Sequence, residues 1–86
     1  MSEELFIAKC KLMIKKYTEN HLDKSDTIPD FDIYTVWLTK ALQNNKGLFS
    51  TTLNDGMYYE ITYNGDKQEF YFDAYKKFEN MCIRDI

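Results

Sequence analysis

The chain has 86 residues, of which 44% are hydrophobic and 16% aromatic, and its formal net charge at pH 7 is −3. A chain of this length can bury one small core, so we expect a single domain over residues 1–86. The negative charge disfavours nonspecific binding to nucleic acid. The sequence has no stretch long enough to span a membrane, and the Ser2-Glu3-Glu4 start is not that of a secretory signal, so a cytoplasmic location is expected.

The first predicted element is an amphipathic helix over residues 3–21. Its apolar residues recur at steps of three and four, which is the helical period. They are Phe6, Cys10, Met13, Ile14 and Tyr17, with Leu5, Ala8 and Leu12 widening the stripe. Ser2 is placed to cap this helix, and Glu3 and Glu4 suit the positive end of its dipole. A loop over residues 22–30, which contains the only proline, is predicted to follow.

Four strands are predicted after the loop, because β-branched and aromatic residues alternate between turn signals. The first covers residues 31–42, although a helix over residues 32–42 is also compatible with the pattern. The others cover residues 48–53, 57–63 and 67–72. Asp73 is then predicted to cap a short last helix with Ala74, Tyr75, Phe78, Met81 and Cys82 on its apolar side. The expected fold class is α+β, with an N-terminal helix, a four-stranded antiparallel meander and a short C-terminal helix.

Loop lengths predict which strand residues lie opposite each other, because alternate side chains point to opposite faces of a sheet. A two-residue Asn64-Gly65 turn would oppose Tyr59 to Phe70. A three-residue loop ending in a left-handed Gly56 would oppose Phe49 to Ile61. A four-residue connection over 44–47 would oppose Leu42 to Phe49, with Val36 facing the core and Trp37 facing away.

The second face of the predicted sheet is the candidate binding surface. It would carry Trp37, Thr39, Ser50, Thr52, Tyr58, Glu60, Thr62, Glu69 and Tyr71. Large rings on a solvated face are more than solubility requires, and aromatic residues are enriched in interface cores. The candidate partner-binding residues are Trp37, Tyr58, Glu60, Glu69 and Tyr71. The alternatives are that the last helix covers this face, or that the rings only stabilise cross-strand pairs.

Glu60 and Glu69 would lie directly opposite each other in the predicted register, where like charges are destabilising. Lys67, as a diagonal neighbour of Glu60, can offset this repulsion. The alternative hypothesis is that a basic residue of a partner docks between the two carboxylates.

Residues typical of catalysis are sparse. His21 is the only histidine and lies at the predicted helix end, where a solvated side chain is expected. Cys10 and Cys82 are far apart and too few for a zinc site, so reduced and buried thiols are expected. No nucleotide-binding or nucleophile-elbow motif occurs. We therefore expect no enzyme activity, and we assign no catalytic residue, cofactor or metal ligand.

Lysines occur on the polar side of the first helix and again near residue 76. A helix, antiparallel strands and a helix with lysines near its start is similar to the layout of double-stranded-RNA-binding domains. The prediction of four strands, where that layout has three, and the negative net charge both disfavour this assignment.

Three stretches resemble a known family: "VWLTKALQNNKGLFSTT", "DGMYYEITYNGDK" and "FDAYKKFEN", which together cover most of the chain from Val36 to Asn80. They are similar to a family of small uncharacterised proteins encoded by phages and prophages of Gram-positive bacteria. The resemblance implies a small cytosolic accessory protein of phage type in a bacterial host, and it implies no catalytic residue.

The aromatic face and the family context together predict a non-enzymatic protein that binds and inhibits or redirects a host bacterial protein. An anti-defence inhibitor, for example of a CRISPR effector, is one concrete form. The alternatives are a nucleic-acid-binding module and a homo-oligomer, such as a homodimer, whose exposed face packs on its own copy.

Overall fold

The computed structural model describes residues 1–21 and 29–85. One helix, α1 (Glu3–His21), precedes four strands, β1 (Ile33–Ala41), β2 (Asn44–Thr51), β3 (Met57–Asn64) and β4 (Glu69–Lys76). The strands form one antiparallel sheet in the order β1-β2-β3-β4. The predicted α+β class, the first helix and the four-stranded meander are confirmed. Most of the predicted loop over residues 22–30 lies outside the described residues.

Helix α1 begins and ends where its sequence predicts. The backbone N–H of Leu5 donates to Ser2 Oγ at 3.2 Å, which is the predicted N-cap. The helix buries Phe6, Cys10, Ile14 and Thr18. Its apolar stripe is narrower than predicted, because Leu5, Ala8 and Leu12 are exposed. One helix lying on a sheet makes contact along one line, so residues to the side of that line stay in solvent.

Aromatic contacts join α1 to one face of the sheet, which we call the helix face. The Phe6 ring lies 6.3 Å from Phe49 and 6.4 Å from Phe70. The Tyr17 ring lies 5.6 Å from Tyr59 and 5.2 Å from Phe72. Such pairs contribute about 0.5–1.5 kcal/mol each beyond the burial of their area. Phe49, Tyr59 and Ile61 are fully buried under the helix, so the core lies entirely on this side of the sheet.

The predicted C-terminal helix is wrong. β4 continues through Asp73 to Lys76, and Ala74 pairs with Tyr59 and Lys76 with Met57. Residues 77–85 have no regular secondary structure. A β4 that ended at Phe72 would leave the first half of β3 without a partner for its backbone groups, which explains why the strand extends. Without the helix Cys82 is exposed, so its predicted burial is also wrong, whereas Cys10 is buried as expected.

All three predicted connections differ in length from those of the structure. The β3–β4 turn takes four residues, 65–68, because Asn64 Oδ1 accepts hydrogen bonds from the backbone of Asp66 and Lys67 at 3.1 and 3.2 Å. The β2–β3 connection spans residues 52–56, with Gly56 left-handed as predicted (φ 69°). The β1–β2 turn contains only Leu42 and Gln43, and Leu42 is 95% exposed with φ 56°. Its predicted burial opposite Phe49 is therefore wrong.

The predicted β2–β3 and β3–β4 registers each differ from the observed register by an even number of residues. Phe49 pairs with Tyr59, and Tyr63 pairs with Phe70, each two or four positions from the predicted partner. Because the faces of a strand alternate with period two, an even shift leaves every side chain on its predicted face.

A β-bulge changes the pattern within β1. Thr35 pairs with Phe49 and Trp37 with Leu48, so Val36 is the extra residue. The bulge leaves Leu38 on the helix face and Trp37 on the opposite face, as predicted. Val36 is 45% exposed and not in the core, which corrects its predicted position.

Gly47 lies inside β2, although the sequence pattern places it in a turn. An added Cβ would lie 2.8 Å from Leu38 Cδ2 and 2.8 Å from the Phe49 ring. The absence of a side chain at Gly47 is therefore what lets Leu38 and Phe49 approach each other under the helix.

We expect Gly47→Ala to lower the free energy of unfolding by about 1–3 kcal/mol, because the methyl group overfills the core between Leu38 and Phe49. Denaturant unfolding measures this change. Thr39→Ala, at an exposed position on the neighbouring strand, is the control and should stay within about 0.5 kcal/mol of wild type. Equal stabilities of the two variants would contradict this packing.

Burial raises the pKa of the Cys10 thiol from 9.0 to about 12. The unfolded chain releases this proton near pH 9 while the folded chain retains it. The Cys10 thiol therefore leaves the free energy of unfolding unchanged below pH 9 and lowers it as the pH rises above 9, by up to about 1.4 kcal/mol per pH unit. Urea unfolding on either side of pH 9 measures the slope, which Cys10→Ala should reduce. If the variant loses stability as steeply as wild type, Cys10 is not the cause.

Candidate protein-binding face

The side of the sheet that faces away from α1 is the candidate site, and we call it the open face. Its side chains follow from the strand registers and the alternation of faces. β1 contributes Tyr34, Trp37, Thr39 and Ala41; β2 contributes Asn44, Lys46, Leu48 and Ser50; β3 contributes Tyr58, Glu60, Thr62 and Asn64; and β4 contributes Glu69, Tyr71, Asp73 and Tyr75. Four of its rings, Tyr34, Trp37, Tyr71 and Tyr75, are between 40% and 52% exposed.

All five candidate partner-binding residues lie on the open face. The placement of Trp37, Tyr58, Glu60, Glu69 and Tyr71 away from the helix is thus confirmed, while their role in binding stays a prediction. Tyr59 and Ile61, next to them in sequence, are buried under α1.

Two rings of the open face were missed in the sequence. Tyr34 would face the core in a regular β1, and only the bulge at Val36 turns it to the open side. Tyr75 falls within the wrongly predicted last helix. The alternation of Phe70, Phe72 and Ala74 with polar or tyrosine positions is a strand signal that could have revealed it.

The strand pairings align the open-face residues in rows across the sheet. One row contains Tyr34, Ser50, Tyr58 and Tyr75. Ser50, the small residue of this row, is buried and donates a hydrogen bond from Oγ to the Met57 carbonyl at 2.8 Å. Because its hydroxyl is satisfied internally, the row presents mainly tyrosine rings to an incoming surface.

The adjoining row contains Trp37, Leu48, Glu60 and Asp73. The predicted pairing of Glu60 with Glu69 is wrong, because the four-residue turn after β3 places Asp73 opposite Glu60. Lys46 Nζ lies 3.2 Å from Glu60 Oε1. Lys46, and not Lys67 as predicted, therefore offsets the charge of Glu60.

The two carboxylates of β4 have no such cation. Throughout residues 1–21 and 29–85, no basic nitrogen lies within 4 Å of Glu69 or Asp73. Glu69 Oε2 instead accepts a hydrogen bond from the Tyr71 hydroxyl at 2.7 Å. The open face thus carries a net negative charge near β4, next to the rings of Tyr71 and Tyr75.

His21, the histidine considered for catalysis, contacts Tyr17 of its own helix. The His21 ring stacks on Tyr17 at 4.0 Å, and its Nδ1 lies 2.8 Å from the Tyr17 carbonyl oxygen. Within the part of the chain that the structure describes, no three His, Cys, Asp or Glu side chains are grouped as metal ligands. The sequence of α1, the helix of the described chain, is too polar to cross a membrane.

A cleft of the described chain lies away from the open face. It has a volume of about 690 Å³ between α1 and the residues before β1. Its walls mix Lys11 and Lys15 with Glu19, Asp30 and Asp32. Convergent apolar walls with a few polar groups are typical of ligand sites, and this cleft has instead the mixed charge of an ordinary surface crevice.

Residues 7–85 match a family of unknown function (DUF6275), so the chain belongs to this family. No curated protein and no solved structure is a significant match to the chain. The resemblance to an uncharacterised family is confirmed at this level, and the case for a function depends on the geometry of the open face.

The bond between Tyr71 and Glu69 has a measurable consequence. The hydrogen bond to the Glu69 carboxylate, together with its negative charge, raises the pKa of the Tyr71 phenol. We expect Glu69→Gln to lower this pKa toward its ordinary value, as observed by ultraviolet titration of the tyrosines. Glu60→Gln is the control and should leave the Tyr71 titration unchanged. An unaltered titration in Glu69→Gln would show that the bond is absent in solution.

Proposed function

We propose that this protein is a non-enzymatic protein-binding module that holds its partner on the open face. The observation that carries the proposal is the concentration of exposed rings on a sheet face that the fold does not need to bury. Tyrosine and tryptophan provide large contact areas with few rotatable bonds, and they dominate the energetics of protein interfaces. Contiguous exposed apolar patches on small proteins are typical of interaction sites.

The position of the bulge supports the same proposal. An extra residue in β1 brings Val36 and Trp37 together opposite Leu48. Bulges often re-aim side chains next to functional sites. Here the bulge retains Leu38 in the core while Tyr34 and Trp37 both join the open face.

Charge favours a protein partner with basic residues. Lys46 neutralises Glu60, so Glu69 and Asp73 remain to attract cations. The same carboxylates would repel nucleic acid phosphates. Complementary charge increases the rate and specificity of association, while the rings supply most of the affinity.

The biological form that we propose is inhibition or redirection of a host bacterial protein by a phage-type accessory protein in the bacterial cytoplasm. An anti-defence role, such as occupying a nucleic-acid site on a CRISPR effector, is a specific version. Its support is the resemblance carried by the stretches from Val36 to Asn80 and the acidic, aromatic character of the open face. An acidic face resembles nucleic acid in charge, which is the property that such an inhibitor requires.

We expect Trp37→Ala and Tyr58→Ala each to weaken partner binding at least tenfold, about 1.4 kcal/mol, because each removes a large ring from the open face. The tagged protein is purified from its bacterial host, the copurifying protein is identified, and the two recombinant proteins are titrated by calorimetry. Unfolding curves establish that each variant is folded.

Leu12→Ala is the matched control, because Leu12 is an exposed apolar residue of α1 and α1 lies on the opposite side of the sheet from the open face. It should bind the partner like wild type. Equal affinities for all three variants would exclude the open face as the binding site. Copurification of nucleic acid without a protein, or self-association that Trp37→Ala abolishes, would favour the nucleic-acid or homo-oligomer alternative.

A further inference from the structure

The two edge strands of the sheet differ in how well they are protected from pairing with another strand. Natural proteins protect edges with bulges, prolines, charged residues or short strands. β1 has the bulge at Val36 and an exposed Lys40. β4 pairs with β3 without interruption over eight residues, Glu69–Lys76, and contains neither bulge nor proline, so only the charges of Glu69, Asp73 and Lys76 protect it. The β4 edge is therefore the accessible one.

The outward backbone groups of β4 can be identified from one hydrogen bond. The N–H of Lys77 donates to the Gly56 carbonyl at 2.7 Å, so residue 77 directs its backbone groups toward β3. In an antiparallel sheet this direction alternates along the strand. The N–H and C=O groups of Phe70, Phe72, Ala74 and Lys76 consequently point away from the sheet. The sheet order places no strand beyond them in the described chain.

The side chains along this edge differ between the two faces. On the helix face the edge presents Phe70, Phe72 and Ala74, of which Phe70 and Phe72 are only partly buried, and the exposed Lys76 follows at the end of the strand. On the open face it presents the Glu69 and Asp73 carboxylates between tyrosine rings. An added strand would therefore meet apolar surface on one side and negative charge on the other.

A second copy of this chain fits the edge poorly. Two β4 strands related by a two-fold axis keep the same faces together, so the axis passes through one residue of each copy. An axis at Asp73 places the two Asp73 side chains opposite each other, and an axis at Tyr71 opposes Glu69 to Asp73. An axis at Phe72 makes these carboxylates diagonal neighbours, about 7–8 Å apart. Every central register thus brings like charges together.

We propose that the β4 edge accepts an extended peptide segment of the partner in which basic and apolar residues alternate. The segment adds a fifth strand, with its basic side chains toward Glu69 and Asp73 and its apolar side chains toward Phe70 and Phe72. In this mode of recognition the backbone supplies affinity and the alternate side chains supply specificity. The inference deepens the proposed function by defining what the partner presents, and it can be tested without that partner.

The probe is a blocked peptide that alternates lysine with valine, titrated by calorimetry against the whole protein. Ala74→Pro removes one outward N–H and leaves the hydrogen bonds to β3 intact, because Ala74 directs its backbone away from β3. Ala74→Val is the matched control, since it retains the N–H. We expect wild type and Ala74→Val to bind equally, and Ala74→Pro to bind at least tenfold more weakly. A peptide with glutamate in place of lysine should not bind.

Equal binding by Ala74→Pro would overturn the proposal, because attraction between charges alone would then explain the interaction. So would a wild-type dimer, measured by light scattering, that Ala74→Pro dissociates, since the edge would then belong to a second copy. If Ala74→Pro does not fold, N-methylation of the alternate peptide residues that face β4 serves the same purpose from the other side. Unchanged affinity of that peptide would also exclude strand addition.

Different variants test strand addition at the β4 edge and partner binding on the open face, so either proposal can be wrong while the other is right. If Trp37→Ala lowers the affinity for the identified partner while Ala74→Pro does not, the proposed function stands and strand addition is wrong. If the lysine–valine peptide binds at the edge but Trp37→Ala and Tyr58→Ala bind the partner with wild-type affinity, the proposal of binding on the open face is wrong. The proposal of strand addition at the β4 edge then stands.

Discussion

The packing of one helix against one face of the sheet determines the rest of this structure. Phe6 and Tyr17 contact rings from three of the four strands that follow them, and the fully buried residues all lie along this contact. A single 19-residue helix cannot cover both sides of a four-stranded sheet. The side without a helix therefore remains in contact with solvent, and its tyrosines and tryptophan are not used in the core. The candidate site is in this sense a product of the number of helices.

The faces of the sheet could be predicted from the sequence more reliably than its registers. Glycine and asparagine pairs near residues 47 and 64 indicated tight turns, yet Gly47 serves packing and Asn64 closes a longer turn through its side chain. Neither use is visible before the partners of these residues are known. The faces survived because the turn errors after β2 and β3 were even, and a chain whose helix face is so strongly apolar resists odd shifts. The bulge at Val36 has no local sequence signal, so it could not be predicted from the alternation of side chains.

The end of the chain shows how tertiary structure overrides local periodicity. Tyr75, Phe78, Met81 and Cys82 have helical spacing, but residues 74–76 continue β4 and pair with β3 instead, since β3 has no other partner on that side. The consequence reaches the site, because it adds Tyr75 to the open face and moves Asp73 opposite Glu60. Of the five rings on this surface, sequence reasoning found Trp37, Tyr58 and Tyr71 and missed Tyr34 and Tyr75, which depend on the bulge and on the extension of β4.

If the open face binds a partner as proposed, the ion pair between Lys46 and Glu60 would discriminate between partners by their polarity. It lies in the middle strands, between Trp37 and Thr39 on one side and Tyr71 and Asp73 on the other. An entirely apolar partner surface that covered this ion pair would remove water from two opposite charges. Such desolvation costs several kcal/mol when nothing replaces the lost hydrogen bonds. In the proposed binding role, the rings would supply contact area and the ion pair would disfavour any partner that offers no polar group opposite it.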